Sequence, residues 1–142
     1  MTSLLQTRGL TARYGDFQAL FGVDITLDEG ECVAIIGANG AGKTTLMRSI
    51  AGVLPNGVEQ IVLAGTAIGA LPADRVMAQG IAMVPEGRRL FPSLTVEENL
   101  LIGAHGRKAP GPWTLASVYE LFPVLKERRR QPGTALSGGQ QQ

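Results

Sequence analysis

The distribution of apolar positions divides the chain into short segments of different period. Residues 32–36, Cys32-Val33-Ala34-Ile35-Ile36, are apolar without alternation, the signature of a strand buried on both faces. Ile81-Ala82-Met83-Val84 reads as a second buried strand, stopped by Pro85. Val23, Ile25 and Leu27 alternate with Asp24, Thr26 and Asp28, which predicts a half-exposed antiparallel strand. Residues 4–7 and 10–14 predict two short strands broken at Gly9 and Gly15, and Glu29-Gly30 a turn into the first buried strand. Thr45-Leu46-Met47-Arg48-Ser49-Ile50-Ala51 is helical in pattern, with Gly52 placed as its C′ residue. Residues 58–63 predict a further strand, Ala64-Gly65 a turn, and Pro72-Ala73-Asp74 the start of a short helix reaching Gln79 and closed by Gly80.

The second half is more helical. Thr95-Val96-Glu97-Glu98 is a capping box that starts a helix running to about Ala104. Residues 106–112, with Lys108, Pro110 and Gly111, predict a loop. A helix over 114–122 would carry Leu115, Val118, Leu121 and Phe122 on one face, with Pro123 ending it. Lys126-Glu127-Arg128-Arg129-Arg130 reads as a solvated helix face, with membrane or nucleic-acid binding as the lesser alternative. Ser137 and Gln140 form another capping box, so a helix begins there, although only Gln141 and Gln142 follow.

Between the first buried strand and its helix lie Gly37-Ala38-Asn39-Gly40-Ala41-Gly42-Lys43-Thr44, which fit the G-x-x-x-x-G-K-[ST] P-loop. The plain alternative is a chance glycine loop in a glycine-rich chain. The order strand, loop, helix argues against it, because that is the context the motif requires. Glycines let backbone N–H groups turn inward around phosphate oxygens, and a helix N-terminus adds positive potential. Lys43 would reach the β and γ phosphates, and the Thr44 hydroxyl would ligate Mg²⁺. This loop is therefore expected to bind a nucleoside triphosphate.

Composition narrows the field. With 142 residues the chain is long enough for one domain with a real core. Lys+Arg 13 against Asp+Glu 12 leaves a net charge of +1, which advertises no polyanion-binding surface. Nineteen glycines suit an α/β chain with many tight loops. The single Cys32 cannot form an internal disulfide and is expected in a buried strand, which points to a reducing compartment. No apolar run approaches the roughly 20 residues of a membrane span, and the N-terminus has no signal-peptide pattern.

A P-loop combined with Leu136-Ser137-Gly138-Gly139-Gln140 resembles the ATP-binding-cassette (ABC) ATPases over nearly the whole chain. The resemblance implies an α/β P-loop NTPase core with an N-terminal antiparallel β part and a helical subdomain. It implies nucleotide contacts from Gly37, Ala38, Asn39, Gly40, Ala41, Gly42, Lys43, Thr44 and Thr45. Tyr14, in Arg13-Tyr14-Gly15, looks like the aromatic on which that family stacks adenine. More narrowly, residues 84–100, beginning Val84-Pro85-Glu86-Gly87-Arg88-Arg89-Leu90-Phe91, resemble the ATPases of branched-chain amino acid importers, as does Tyr119-Glu120-Leu121-Phe122-Pro123. Most ABC ATPases have Gln where this chain has Glu86. A carboxylate there either ligates Mg²⁺ beside Thr44 or only positions water. Lys43 and Glu86 are the residues the resemblance assigns to catalysis.

The family further implies ATP and Mg²⁺ as cofactors, membrane-spanning permease subunits as partners, and a head-to-tail pair of ATPase subunits. In that pair Leu136, Ser137, Gly138, Gly139 and Gln140 of one subunit cap ATP on the other. No nucleic-acid partner is implied, and the location would be peripheral, on the inner face of the cell membrane. Residues 1–90 would be the nucleotide-binding core, 91–135 the helical subdomain and 136–142 the signature. Leu90, Phe91 and Pro92 would be either a docking surface for the permease or a buried hinge beside Pro85. His105 is not the family's switch histidine, and neither it nor Trp113 has a matching role. No stretch resembles the family's apolar segment ending in Asp-Glu, so the chain is expected to be an N-terminal portion, binding ATP weakly and not hydrolysing it alone. The competing readings are a soluble ABC protein acting on translation or DNA and an inactive truncated fragment.

Overall fold

The computed structural model describes residues 3–105 and 111–142. The chain forms two compact units, Met1–Met83 and Val84–Gln142. The first unit is built on a long antiparallel hairpin, β1 (Leu5–Tyr14) and β2 (Phe17–Leu27). β1 also pairs with β3 (Ile61–Leu63), which pairs with β4 (Thr66–Ala67), giving the order β2-β1-β3-β4. The two strands expected on either side of Gly9 are one strand, because Gly9 supplies a bulge instead of a break. Its φ of +53° favours glycine, its N–H donates to Asp24 Oδ1 at 2.5 Å, and its carbonyl accepts from Gln60 Nε2 at 2.9 Å. Thr7, buried beside the bulge, repairs the ladder. Its hydroxyl donates to the Val23 carbonyl and accepts from the Ile25 N–H, both at 2.9 Å.

Helix α1 (Lys43–Ile50) lays Leu46 onto a core of Leu10, Ala12, Leu20, Ile61, Ile68 and Val76. Gly52, at φ +71°, is the expected C′ residue, and a Cβ there would meet the Leu71 carbonyl and Val76 at 2.8 Å. Helix α2 (Ala73–Ala78) supplies Val76 and follows Pro72. The strand expected over 58–63 shortens to β3, because residues 58–60 form a 3₁₀ turn. Gln60 causes this: its Oε1 accepts the Gly57 N–H at 2.9 Å, and its Nε2 reaches Gly9 and the Thr11 hydroxyl.

The two apolar runs read as buried strands are not strands. Residues 32–36 carry no regular secondary structure and are exposed, Ile36 at 94%, and Ala82, Met83 and Val84 are exposed as well. A strand exists through its neighbours, and among the described residues no ladder forms at either run. Cys32 is correspondingly an exposed thiol.

The second unit is helical: α3 (Val96–Gly103), α4 (Leu115–Leu121), α5 (Pro123–Glu127) and the single turn α6 (Gly138–Gln141). The Thr95 box closes as read, with Glu98 N–H on Thr95 Oγ1 at 3.2 Å and Thr95 N–H on Glu98 Oε2 at 2.8 Å. Asn99 pins the preceding turn, bonding the N–H and carbonyl of Phe91 and the carbonyls of Leu94 and Thr95. Residues 129–133 return beside the start of α3, where Val96 N–H donates to the Gln131 carbonyl and Gly133 N–H to Leu94. Tyr119 Oη donates to Glu97 Oε2 at 2.7 Å and so ties α4 to α3. Pro123 does stop α4, but it also opens α5 at the position where its missing N–H costs nothing. A cavity of about 460 Å³, lined by Leu90, Val96, Leu100, Val118, Phe122 and Leu136 among others, lies within this unit. Of the loop expected over 106–112, residues 106–110, including Lys108 and Pro110, lie outside the described residues.

Candidate functional site

The glycine loop, residues 37–44, wraps the start of α1. Gly42 caps the helix at φ +93°, in the left-handed region, and Gly40 sits at +83°. Gly42 is also held by space: a Cβ would lie 2.8 Å from Leu20 Cδ2 and 3.2 Å from the Ala19 carbonyl. The β1–β2 hairpin therefore seats the loop directly. No side chain caps α1 and its first turn has no acid, so its N–H groups are not neutralised by the chain itself. Lys43 folds back over the loop, donating from Nζ to the Gly37 and Ala38 carbonyls at 2.7 Å each. An ammonium held only by carbonyls is poised to exchange them for anionic oxygens, the stronger acceptors.

The neighbouring positions separate by exposure. Ala38, Asn39, Gly40 and Ala41 are exposed, as is Thr44, whose hydroxyl is open for a ligand. Thr45 is buried and lies with Oγ1 3.4 Å from Tyr14 Oη. Tyr14 leaves 42% of its surface exposed, so one end of the ring is tethered to α1 and the rest is free. The Thr45 hydrogen bond, with help from Arg48, holds the Tyr14 phenol below its ordinary value of 10.0. Loop, α1 and Tyr14 thus come together in one unit.

Glu86 and the Leu136–Gln140 stretch belong to the second unit. Glu86 is exposed in a turn with Gly87 at φ +83° and Arg88 at φ +50°. Ser137 N–H donates to Gln140 Oε1 at 2.9 Å, the reciprocal half of the box read from S-x-x-Q. Leu136 is buried and Gly139 has open space where a Cβ would stand. Gly138 does not: the Arg88 guanidinium packs over it and would have to swing aside for any side chain. Sequence reasoning missed that contact, and it missed Leu20 and Ala19 as the wall behind Gly42. Neither has a periodic signal, because both are long-range packing events. His105 and Trp113 are exposed.

Among the described residues no group of three or more His, Cys, Asp or Glu could hold a metal ion. Mg²⁺ takes one or two protein ligands together with substrate phosphates and keeps several waters. Thr44, exposed at the end of the glycine loop, fits one such ligand place. Among the same residues, no helix is long and apolar enough to cross a membrane.

Comparison with known proteins places the chain in a family. The ABC transporter family profile matches residues 20–142. The high-affinity branched-chain amino acid transport ATP-binding protein BraG of Pseudomonas aeruginosa is 45% identical over 130 residues, covering 91% of this chain and 56% of its own length. The probable branched-chain amino acid transport ATP-binding protein LivF of Archaeoglobus fulgidus is 35% identical over 140 residues, covering 98% of this chain and 59% of its own. The chain thus spans somewhat over half the length of these relatives. Among solved structures, a nucleotide-free ATP-binding cassette from an ABC transporter superposes with a TM-score of 0.73 at 27% identity, over 99% of this chain and 61% of that one. The ATP-binding subunit of another ABC transporter gives 0.76 at 28%, over 98% and 58%. The chain belongs to the ABC transporter family, and its fold is the α/β fold of that family's ATP-binding cassettes.

Proposed function

We propose that this ABC transporter family member is the ATP-binding part of an importer for branched-chain amino acids. The observation that carries the nucleotide reading is the state of the loop: an eight-residue helix with no side-chain cap, two left-handed glycines, and Lys43 turned onto two loop carbonyls. The substrate class rests on the 45% identity to a branched-chain amino acid transport ATP-binding protein.

In this reading Gly37, Ala38, Asn39, Gly40, Ala41 and Gly42 line the triphosphate with backbone N–H groups, and Thr45 adds a nucleotide contact from the first turn of α1. Lys43 leaves the Gly37 and Ala38 carbonyls and neutralises the β and γ phosphates. Tyr14 stacks the adenine. Mg²⁺, when bound, would balance phosphate charge, with Thr44 as one ligand; for Glu86 the family resemblance implies either metal ligation or positioning of the attacking water. Leu136, Ser137, Gly138, Gly139 and Gln140 would serve a nucleotide on a second ATPase subunit. ATP hydrolysis and its coupling to membrane-spanning permease subunits, at the inner face of the membrane, are proposed for the whole protein.

Lys43→Ala tests the nucleotide reading. Lys43 is a loop-end residue whose ammonium contacts only loop carbonyls, so the variant should keep its circular dichroism and lose ATP binding. Equal ATP affinity for both proteins by calorimetry would defeat the assignment. Leucine uptake by cells carrying the whole protein, lost in Lys43→Ala, tests the importer reading.

A further inference from the structure

We propose that Phe17 is a second base-contacting residue, forming with Tyr14 an aromatic corner that favours a purine. The inference deepens the nucleotide reading given above and rests on it. Tyr14 and Phe17 are direct cross-strand partners across the two-residue turn Gly15-Asp16. Residues directly opposite in an antiparallel pair project from the same face of the sheet, with Cβ atoms about 4.5–5.5 Å apart. That face is the one that carries the core: the register shift between Ala12 and Arg13 places its extra residue, Ala19, on β2, so on β1 Tyr14 keeps the face of Ala12, which is buried opposite Leu20. The core ends there and α1 begins: Tyr14 reaches Thr45, and Leu20 touches Gly42. Phe17 nevertheless remains 70% exposed, an apolar ring at the rim of the core, next to the loop that would hold phosphates.

The position suits one kind of ligand. A nucleotide whose phosphates lie on the α1 N-terminus has its base directed away from the loop, and Tyr14 marks the side on which that base is met. A second ring beside the first adds apolar contact to a flat aromatic ligand and nothing to a phosphate chain. A two-ring purine spans such a corner better than a one-ring pyrimidine. Phe21 supplies the control. It is 76% exposed, but it pairs with Thr11, whose side chain projects from the opposite face to Ala12.

Calorimetric titration of the chain with ATP, CTP and tripolyphosphate, each with Mg²⁺, tests the proposal. Phe17→Ala should weaken ATP about fivefold or more, the low end of base–aromatic stacking. Its effect on CTP should be smaller, and tripolyphosphate affinity should not change. Phe17→Trp should retain ATP affinity, and Phe21→Ala should match the parent for all three ligands. Unchanged ATP affinity in Phe17→Ala would overturn the inference. So would an equal fall for tripolyphosphate, which would make Phe17 a structural support for the loop. If Lys43→Ala and Tyr14→Ala weaken ATP while Phe17→Ala does not, only this inference falls. If the parent shows no ATP binding that depends on Lys43, the nucleotide reading falls with it.

Discussion

Two stretches of this chain carry strand-like sequence, and they end up in opposite states. In the β1–β2 hairpin, Leu10, Ala12 and Leu20 are buried and the backbone is paired along its length. In residues 32–36 the apolar content is higher, yet no ladder forms and Ile36 is 94% exposed. The hairpin brings its own partner strand two residues away, so its ladder closes locally. A strand buried on both faces needs neighbours on each side, and the described residues give it none. Apolar sequence predicts the need for burial; pairing decides whether the need is met.

The contrast breaks most directly under paired truncations. Leu10→Ala removes a fully buried side chain and should cost about 2–5 kcal/mol in urea unfolding of the chain. Ile36→Ala removes one that is already in water and should shift stability by no more than about 0.5 kcal/mol. A loss at Ile36 as large as that at Leu10 would mean that residues 32–36 are packed in solution and that the two stretches are alike.

Gly42 joins the two stretches, closing the loop that follows residues 32–36 and resting on the hairpin. Gly42→Ala puts a Cβ at φ +93° and against Leu20 and the Ala19 carbonyl, which should cost about 1–3 kcal/mol of strain. Gly40→Ala, also at positive φ but with open space around it, should cost only the backbone part. Comparing the two melting curves separates the hairpin contact from the loop conformation.

What could be read in the sequence divides along the same line. The glycine loop, its helix, the Gly52 terminus and both S/T-x-x-E/Q boxes were legible because their hydrogen bonds close within six residues. The Gly9 bulge was misread as a break, because its meaning depends on Asp24 and Gln60, one across the hairpin and the other 51 residues on. The Val58–Gln60 turn was hidden by the reach of the same Gln60 side chain. Around the candidate site, Lys43 follows from the P-loop pattern and Tyr14 from the family resemblance, whereas Arg88 over Gly138 and Leu20 behind Gly42 need the fold. Thr95→Ala sharpens the point from the local side. It removes a box that needs no tertiary partner, and should cost about 1 kcal/mol, visible as faster amide exchange in α3 alone.

The smallest effects expected are in titration, and they separate a local contact from a tertiary one. Glu98, bonded to the Thr95 N–H and hydroxyl, has its carboxyl held below the ordinary 4.5. Its contribution to α3 is present above 4.5 and fades as pH falls through the lowered value, so acid should fray the start of that helix. The chain's two tyrosines move apart at the other end of the scale. Tyr14 is lowered by Thr45 and Arg48, whereas Tyr119 is raised to about 12 by burial and by the Glu97 carboxylate that accepts its hydrogen bond. A raised phenol favours the folded state below 10.0, and that support is lost as pH rises toward about 12. Tyrosinate absorbance should therefore rise in two steps, one below 10.0 and one near 12, with the α3–α4 tie released only in the second. Tyr119→Phe should leave the first step alone. A single step at the ordinary value in the parent would mean that neither the hairpin–helix contact at Tyr14 nor the helix–helix contact at Tyr119 persists in solution.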